Sequence, residues 1–418
     1  MSNQVHEDVD LASFEVSARE FLEHRYRRRG SGADSAAGAG AVVLFEQPDP
    51  EIDYANVQRS RQWLAERFDA GFGWITGPPE WGGAGLTAAH QRRYEQLEAE
   101  YEVPDVGNLH MGLTTIAPTV EAHGSPAQRA HYLRAIYRGE LVACQLFSEP
   151  GAGSDLAAVA TRAEQVDDGW VLNGQKVWTS AAQHADIGEI VCRTDPNLPK
   201  HKGITAFIVE LDSPGVETRP LRQMTGGASF NEVFLHDVRV ADSNRLGEVN
   251  DGWRVVMTSL AEERARIRNG PIGESTEHFR RVLKLARTHQ CTQDLVIRDR
   301  LARLAVNDWA TQLLGQRIAD CAGPDGGGAE LALTKLALGA NQGLRSDVVC
   351  QILGAAVCAD AGAQEDWEWA DFVLSVPALG IAGGTDEIVR NTLGERVLGL
   401  PKEPGPDART PFRDLVRS

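Results

Sequence analysis

Residues 169–180 read GWVLNGQKVWTS, and the reading of this stretch decides the fold. Two short runs rich in β-branched and aromatic side chains, Trp170-Val171-Leu172 and Lys176-Val177-Trp178, flank Asn173-Gly174. Asn and Gly both tolerate positive φ, so the pair predicts a tight hairpin between two strands. Similar runs lie on either side: VACQLF from Val142, IGEIVCR from Ile187, ITAFIVEL from Ile204 and NEVFLHDVRV from Asn231. Thr205 to Glu210 shows alternation. Residues 141–242 are therefore expected to form an antiparallel sheet domain.

Outward from the sheet the period changes. Upstream, residues 11–28, 55–70, 87–101 and 125–138 carry helical spacing, with a Gly/Pro-dense turn, ITGPPEWGGAGLT, at 75–87. Residues 29–41, small and Gly-rich, predict a flexible loop. Downstream, helices are expected over 251–268, 273–290, 293–321, 328–357 and 384–398. Strands segregated between two helical blocks give an α+β fold. The expected domains are 1–140 helical, 141–245 β and 246–418 helical.

The net charge of −17, from 42 basic and 59 acidic side chains, repels nucleic-acid phosphates and anionic lipid. An anionic ligand in a locally basic pocket stays compatible with it. The six cysteines form no CxxC pair and no Cys/His cluster at zinc spacing, which predicts buried free thiols and no metal. No apolar run approaches the ~18 residues of a membrane span, and MSNQVHEDVD lacks a leader pattern, so a cytoplasmic protein is expected.

Three motifs carry chemistry. CQLFSEPGAGSDLA starts at Cys144, LNGQKVWTSAA at Leu172 and IAGGTDEIVRNTLGERVLGLP at Ile381. In this order, and with GPPEWGGAGLT (77–87) and HGSPAQRAHYLRAIYRGE (123–140) upstream, they resemble the acyl-CoA dehydrogenase family over residues 11–400. The resemblance implies an N-terminal helical domain, a middle β-domain and a C-terminal four-helix bundle domain. It also implies FAD between the last two, an acyl-CoA substrate, an electron-transfer flavoprotein as reoxidant, and homo- or hetero-oligomers (dimers or tetramers).

Site residues follow position by position from the resemblance. Gln145, Phe147 and Ser148 match the segment along the flavin, and Ser154 a residue near the CoA. Trp178, Thr179 and Ser180 match the tripeptide against the isoalloxazine. Thr385 and Glu387 match a helix start that meets the cofactor, where backbone N–H groups favour an anion. Taken alone, Trp178 reads as a core residue, the serines as turn caps, and Thr385 as an N-cap. Two cofactor elements are degraded. Arg287 survives without its Phe and Gly, and Gln351 without its full glycine run, which points to a partner chain.

The implied chemistry needs a carboxylate to take a weakly acidic α-proton, from a desolvated site with a raised pKa. Many relatives place a Glu just before the Gly-Thr of the last motif, but this chain has Gly383 there. The isovaleryl branch places the base before an Arg on an early C-terminal helix. Leu260-Ala261-Glu262-Glu263-Arg264 matches, so Glu263 is expected to be the base, with Arg264 and Gly383 beside the substrate. A solvated charge run is the alternative. The expected reaction is α,β-dehydrogenation of an acyl-CoA to the 2,3-enoyl-CoA. A non-catalytic subunit of a heteromer, and a same-fold flavin oxidase or monooxygenase, are the competing readings.

Overall fold

The computed structural model describes residues 9–29, 50–269, 274–321, 331–358, 364–402, 404 and 409–415. Most of the Gly-rich stretch at 29–41 lies outside them, as does the side chain of Arg264.

Helix α1 (Leu11–Glu23) opens at Asp10, whose carboxylate accepts from the Ala12 and Ser13 amides at 2.9 and 3.1 Å. That satisfies two of the helix's orphan donors. Phe14, Ala18, Phe21 and Leu22, at one-turn spacing, are buried against Trp63 of α2 (Pro50–Asp69) and Tyr94 of α3 (Ala88–Glu98). The sequence spacing places a helix at 125–138 but none over 112–123. A π-helical turn, Gly112–Ile116, leads into α4 (Ala117–His123), and a helical run follows over 126–137.

Eight strands form one sheet: β1 (Ala143–Leu146), β2 (Arg162–Val166), β3 (Gly169–Ser180), β4 (Ile187–Arg193), β5 (Ile204–Glu210), β6 (Val216–Leu221), β7 (Phe230–Ala241) and β8 (Arg245–Leu246). The order is β6-β7-β3-β2-β4-β5-β8, with β1 on β4. The sheet is mixed rather than purely antiparallel, because β1 and β2 both pair parallel with β4.

The expected Asn173-Gly174 hairpin does not form. Both residues lie inside β3, at a register shift between Leu172 and Gly174. The Asn173 side chain clasps Asp237 across the bulge, and a Cβ on Gly174 would sit 2.4 Å from Thr161 Oγ1. Glycine is therefore needed for a close approach, not a turn. The hairpin is one turn earlier, where Val166 pairs with Gly169 around Asp167-Asp168.

Side chains alternate across the sheet. Cys144, Leu146, Ile190 and Cys192 enter one core with Trp170 and Phe207. Ala143, Phe147, Ile187 and Val191 face the helices instead, packing against α4 and α5 (Gly252–Asn269). The remaining helices are α6 (Glu274–Thr288), α7 (Leu295–Cys321), α8 (Leu331–Leu353), α9 (Gln364–Leu379) and α10 (Asp386–Arg396). Val282, Leu304, Val348 and Phe372 form the bundle core between α6, α7, α8 and α9. Helix α9 was absent from the sequence reading. Among the described cysteines, all free, Cys144 and Cys192 are buried but Cys358 is exposed and Cys291 and Cys350 half-buried, so the expectation of uniform burial fails. Among the described residues, no helix is long and apolar enough to cross a membrane.

Candidate active site

The helix-facing side of the sheet organises the site. Gln145 lies in register with Glu189 across the parallel β1–β4 pair, and both lie between residues that face the helices. After β1 the chain runs through Phe147 and Ser148 into a tight turn, where the backbones of Glu149 and Ala152 bond reciprocally at 3.1 and 3.0 Å. A Cβ on Gly151 or Gly153 would meet nothing within 4 Å, so packing within the chain does not demand glycine there. Open backbone of this kind admits a ligand at close range. Ser154 is exposed on the same loop.

A buried ion pair braces this loop. Lys176 Nζ bonds Glu149 Oε1 at 2.8 Å and the carbonyl oxygens of Phe147 and Val191 at 3.0 and 2.8 Å. Burial pushes the Glu149 carboxyl up, but the Lys176 ammonium and N–H donors of Ala160 and Thr161 outweigh it, leaving the group below the usual carboxylate range. Glu149 is thus a structural residue.

Trp178 is the opposite of a core residue. It is 59% exposed, edge-on to Phe230, and its φ is +60. A bulky residue in the left-handed region is strained by roughly 1–3 kcal/mol, which the β3–β7 irregularity between Lys176 and Thr179 sustains. The preceding residue, Val177, donates to the Ser148 carbonyl at 2.9 Å, which ties the β3 backbone next to Trp178 to the Ser148 loop. Thr179 is buried, and its Oγ1, like Gln145 Nε2, finds no hydrogen-bond partner among the described residues. Ser180 pairs with Phe230. Thr179 Oγ1 and Gln145 Nε2 are both covered by protein, so it is the exposed Trp178 face that fits a planar group such as a flavin.

Helix α5 carries Glu263, the expected base. Val256 and Leu260 pack against Phe147 and Ala152, and Ser259 Oγ lies 2.7 Å from Glu189 Oε1. Glu263 follows at i+7, i+3 and i+4 from these three, so it continues the stripe laid over β1 and its loop. It is half-buried. Glu262 turns about 100° away. Its charge acts on Glu121 and Tyr137 of the N-terminal helices, both pushed up mainly by burial.

The other expected site residues lie on the C-terminal helices and in the turn before α10. Arg287, Gln351, Gly383 and Glu387 are exposed, and Gly383 has φ +65. Thr385 caps α10, accepting from the Ile388 amide at 3.3 Å, so its capping role is real. Among the described residues, the hydrogen bonds and ion pairs of Thr385 and Glu387 stay within α10. One chain therefore joins the Gln145–Ser148 segment to β3 through the Val177 amide and stacks the α5 stripe on Phe147, while Arg287, Gln351 and Glu387 stay exposed on the C-terminal helices. Sequence reasoning missed Lys176, Glu189 and Ser259. The available signal was a charged residue inside an apolar strand: all seven residues of β4 are buried, Glu189 included.

Comparison with known proteins places this arrangement. Three family models match in order: the acyl-CoA dehydrogenase N-terminal domain over 46–140, the middle domain over 144–238 and the C-terminal domain over 250–398. The acyl-CoA dehydrogenase IpdE1 of Mycobacterium tuberculosis is 36% identical over 91% of this chain and 98% of its own length. The chain belongs to the acyl-CoA dehydrogenase family. It is an oxidoreductase of that family, with the family's three-domain fold. The acyl-CoA dehydrogenase FadE34 of the same organism is 43% identical over 77% of this chain, which spans only 44% of that relative. Among solved structures, the Tcur3481-Tcur3483 steroid ACAD is 26% identical, with a TM-score of 0.71 over 96% of this chain and 100% of that one.

Proposed function

We propose that this chain binds FAD along Gln145–Ser148 and Trp178–Ser180 and dehydrogenates an acyl-CoA thioester, with Glu263 as the base. One observation carries the reading: the stripe of α5 that bears Glu263 packs, through Val256 and Leu260, on Phe147 and the loop that follows it.

The roles divide by chemistry. FAD, when bound, supplies the acceptor for the β-hydrogen as hydride. The Trp178 ring walls one side and excludes water. The loop Gly151–Ser154 receives the CoA portion at its open glycines. Glu263, half-buried, takes the α-proton, and Arg264 lies beside it in sequence. One proton and one hydride leave the substrate, and a 2,3-enoyl-CoA results. Because residue 383 is glycine, the last motif supplies room rather than a carboxylate. That room, and the similarity to a steroid ACAD, favour a bulky acyl group.

The chain works as an oligomer. Val306, Trp309 and Leu313 form a stripe along α7, 54–68% exposed in the single chain. The surviving Arg287 and Gln351 are exposed and lack their usual neighbours, which favours a second, related chain completing the flavin site. An electron-transfer flavoprotein is the proposed reoxidant.

The test is anaerobic mixing of the purified protein with a panel of CoA thioesters, including a steroid side-chain thioester. The expected result is loss of the flavin's visible absorbance with formation of enoyl-CoA, two hydrogens lighter. A protein that takes up no FAD, alone or with a co-expressed paralogue, overturns the reading. Rapid peroxide formation in air, without an electron-transfer flavoprotein, makes it an oxidase instead.

A further inference from the structure

Glu189 lies within β4 with no exposed surface. Its Oε1 lies 2.7 Å from Ser259 Oγ of α5. Ser259 Oγ lies 2.9 Å from Thr119 Oγ1 of α4, which in turn donates to the Thr115 carbonyl of the π-helical turn at 2.8 Å. Ser259 and Thr119 are likewise fully buried. Four residues from three domains thus form one hydrogen-bonded chain.

Ser259 Oγ donates to Glu189 Oε1, and its contact with Thr119 Oγ1, in which either hydroxyl can donate, extends the chain to α4. Burial pushes the Glu189 carboxyl up to about 8, opposed only by the Ser259 hydrogen bond. Nearby titratable groups on the packed elements are Glu121 and His123 on α4, and Glu262 and Glu263 on α5.

We infer that Glu189 is a positioning residue for the catalytic face of α5, acting through Ser259 and Thr119. This rests on the proposed role of Glu263. Ser259 and Glu263 are one turn apart on one stripe, about 5–6 Å between Cβ atoms. Apolar packing alone lets a helix slide or rotate at little loss. A directional, buried donor chain fixes its rotation and height together. The chain pins α5 to the sheet and to the N-terminal helices one turn below the base. It thereby sets where the Glu263 carboxylate meets substrate.

The test uses the full-length protein, without substrate, as wild type and as E189Q, E189L, S259A and E263Q. Amide hydrogen exchange is followed in peptides from residues 252–263. E189Q keeps the acceptor oxygen at nearly the same volume, so its exchange stays close to wild type. S259A leaves the buried Glu189 carboxyl without its hydroxyl partner, and E189L removes the acceptor; each is expected to speed exchange about tenfold or more. S259A removes one oxygen, so it keeps the question open should E189L not fold. Wild-type exchange in S259A, or equal loss in E189Q and E189L, overturns the inference. Flavin reduction by octanoyl-CoA and a steroid side-chain thioester separates the two claims. If E263Q reduces flavin normally while S259A loosens α5, the base assignment fails and the positioning network stands.

Discussion

Glu149 and Glu189 are two buried carboxyls with opposite fates. Glu149 meets an ammonium and two N–H donors and stays ionised. Glu189 meets one hydroxyl and stays neutral. The difference is readable as pH dependence. The Glu189 carboxyl rises from its ordinary value of 4.5 to about 8 in the fold. A raised folded pKa gives stability that is complete below 4.5 and lost as pH climbs through about 8. The melting temperature of wild type relative to E189Q should therefore fall between pH 5 and pH 8. A flat or rising difference would show the acid to be ionised. Sequence exposed these two residues unequally. Glu149 sits in a recognisable motif, whereas Glu189 is a lone charge in a strand, and its meaning depends on Ser259 and Thr119, 70 residues away on either side in the chain.

At the scale of elements, long periodic helices and apolar strands were read correctly, and the errors have local causes. Asn173-Gly174 carried a hairpin signal that tertiary contact overrode, because Thr161 crosses Gly174 too closely for any side chain. Asp168-Gly169 carried an equivalent signal at the true hairpin. Helix α9 escaped because it is apolar on several faces, with Trp369 and Phe372 buried and Pro377 inside it. The loop after β1 makes a prediction of its own. Since nothing lies within 4 Å of a Cβ at Gly153, G153A should leave thermal stability within about 0.5 kcal/mol. It should raise the KM for CoA thioesters while kcat changes less. An unchanged KM would remove this loop from CoA binding.

Across the whole molecule, the middle sheet is the platform on which both helical blocks register, and α5 is the element that touches all three. The order of helices, strands and helices was readable in the sequence, because periodicity is a local property. Arg287, Gln351 and Glu387, on α6, α8 and α10, are exposed in the single chain, as the proposed second chain requires. The exposed α7 stripe offers the corresponding test. W309E should shift the protein to a smaller species in analytical ultracentrifugation, alone or with a paralogue, with FAD content falling alongside. An unchanged mass would place the interface elsewhere.

The most direct check on the account is the flavin absorbance of E263Q beside wild type, each loaded with FAD and titrated anaerobically with the thioester that reduces wild type fastest. E263Q should retain FAD and bind the thioester, yet lose reduction by at least about a hundredfold, as expected when a general base is removed. Reduction of E263Q at the wild-type rate would contradict the account, since another group would then be taking the α-proton.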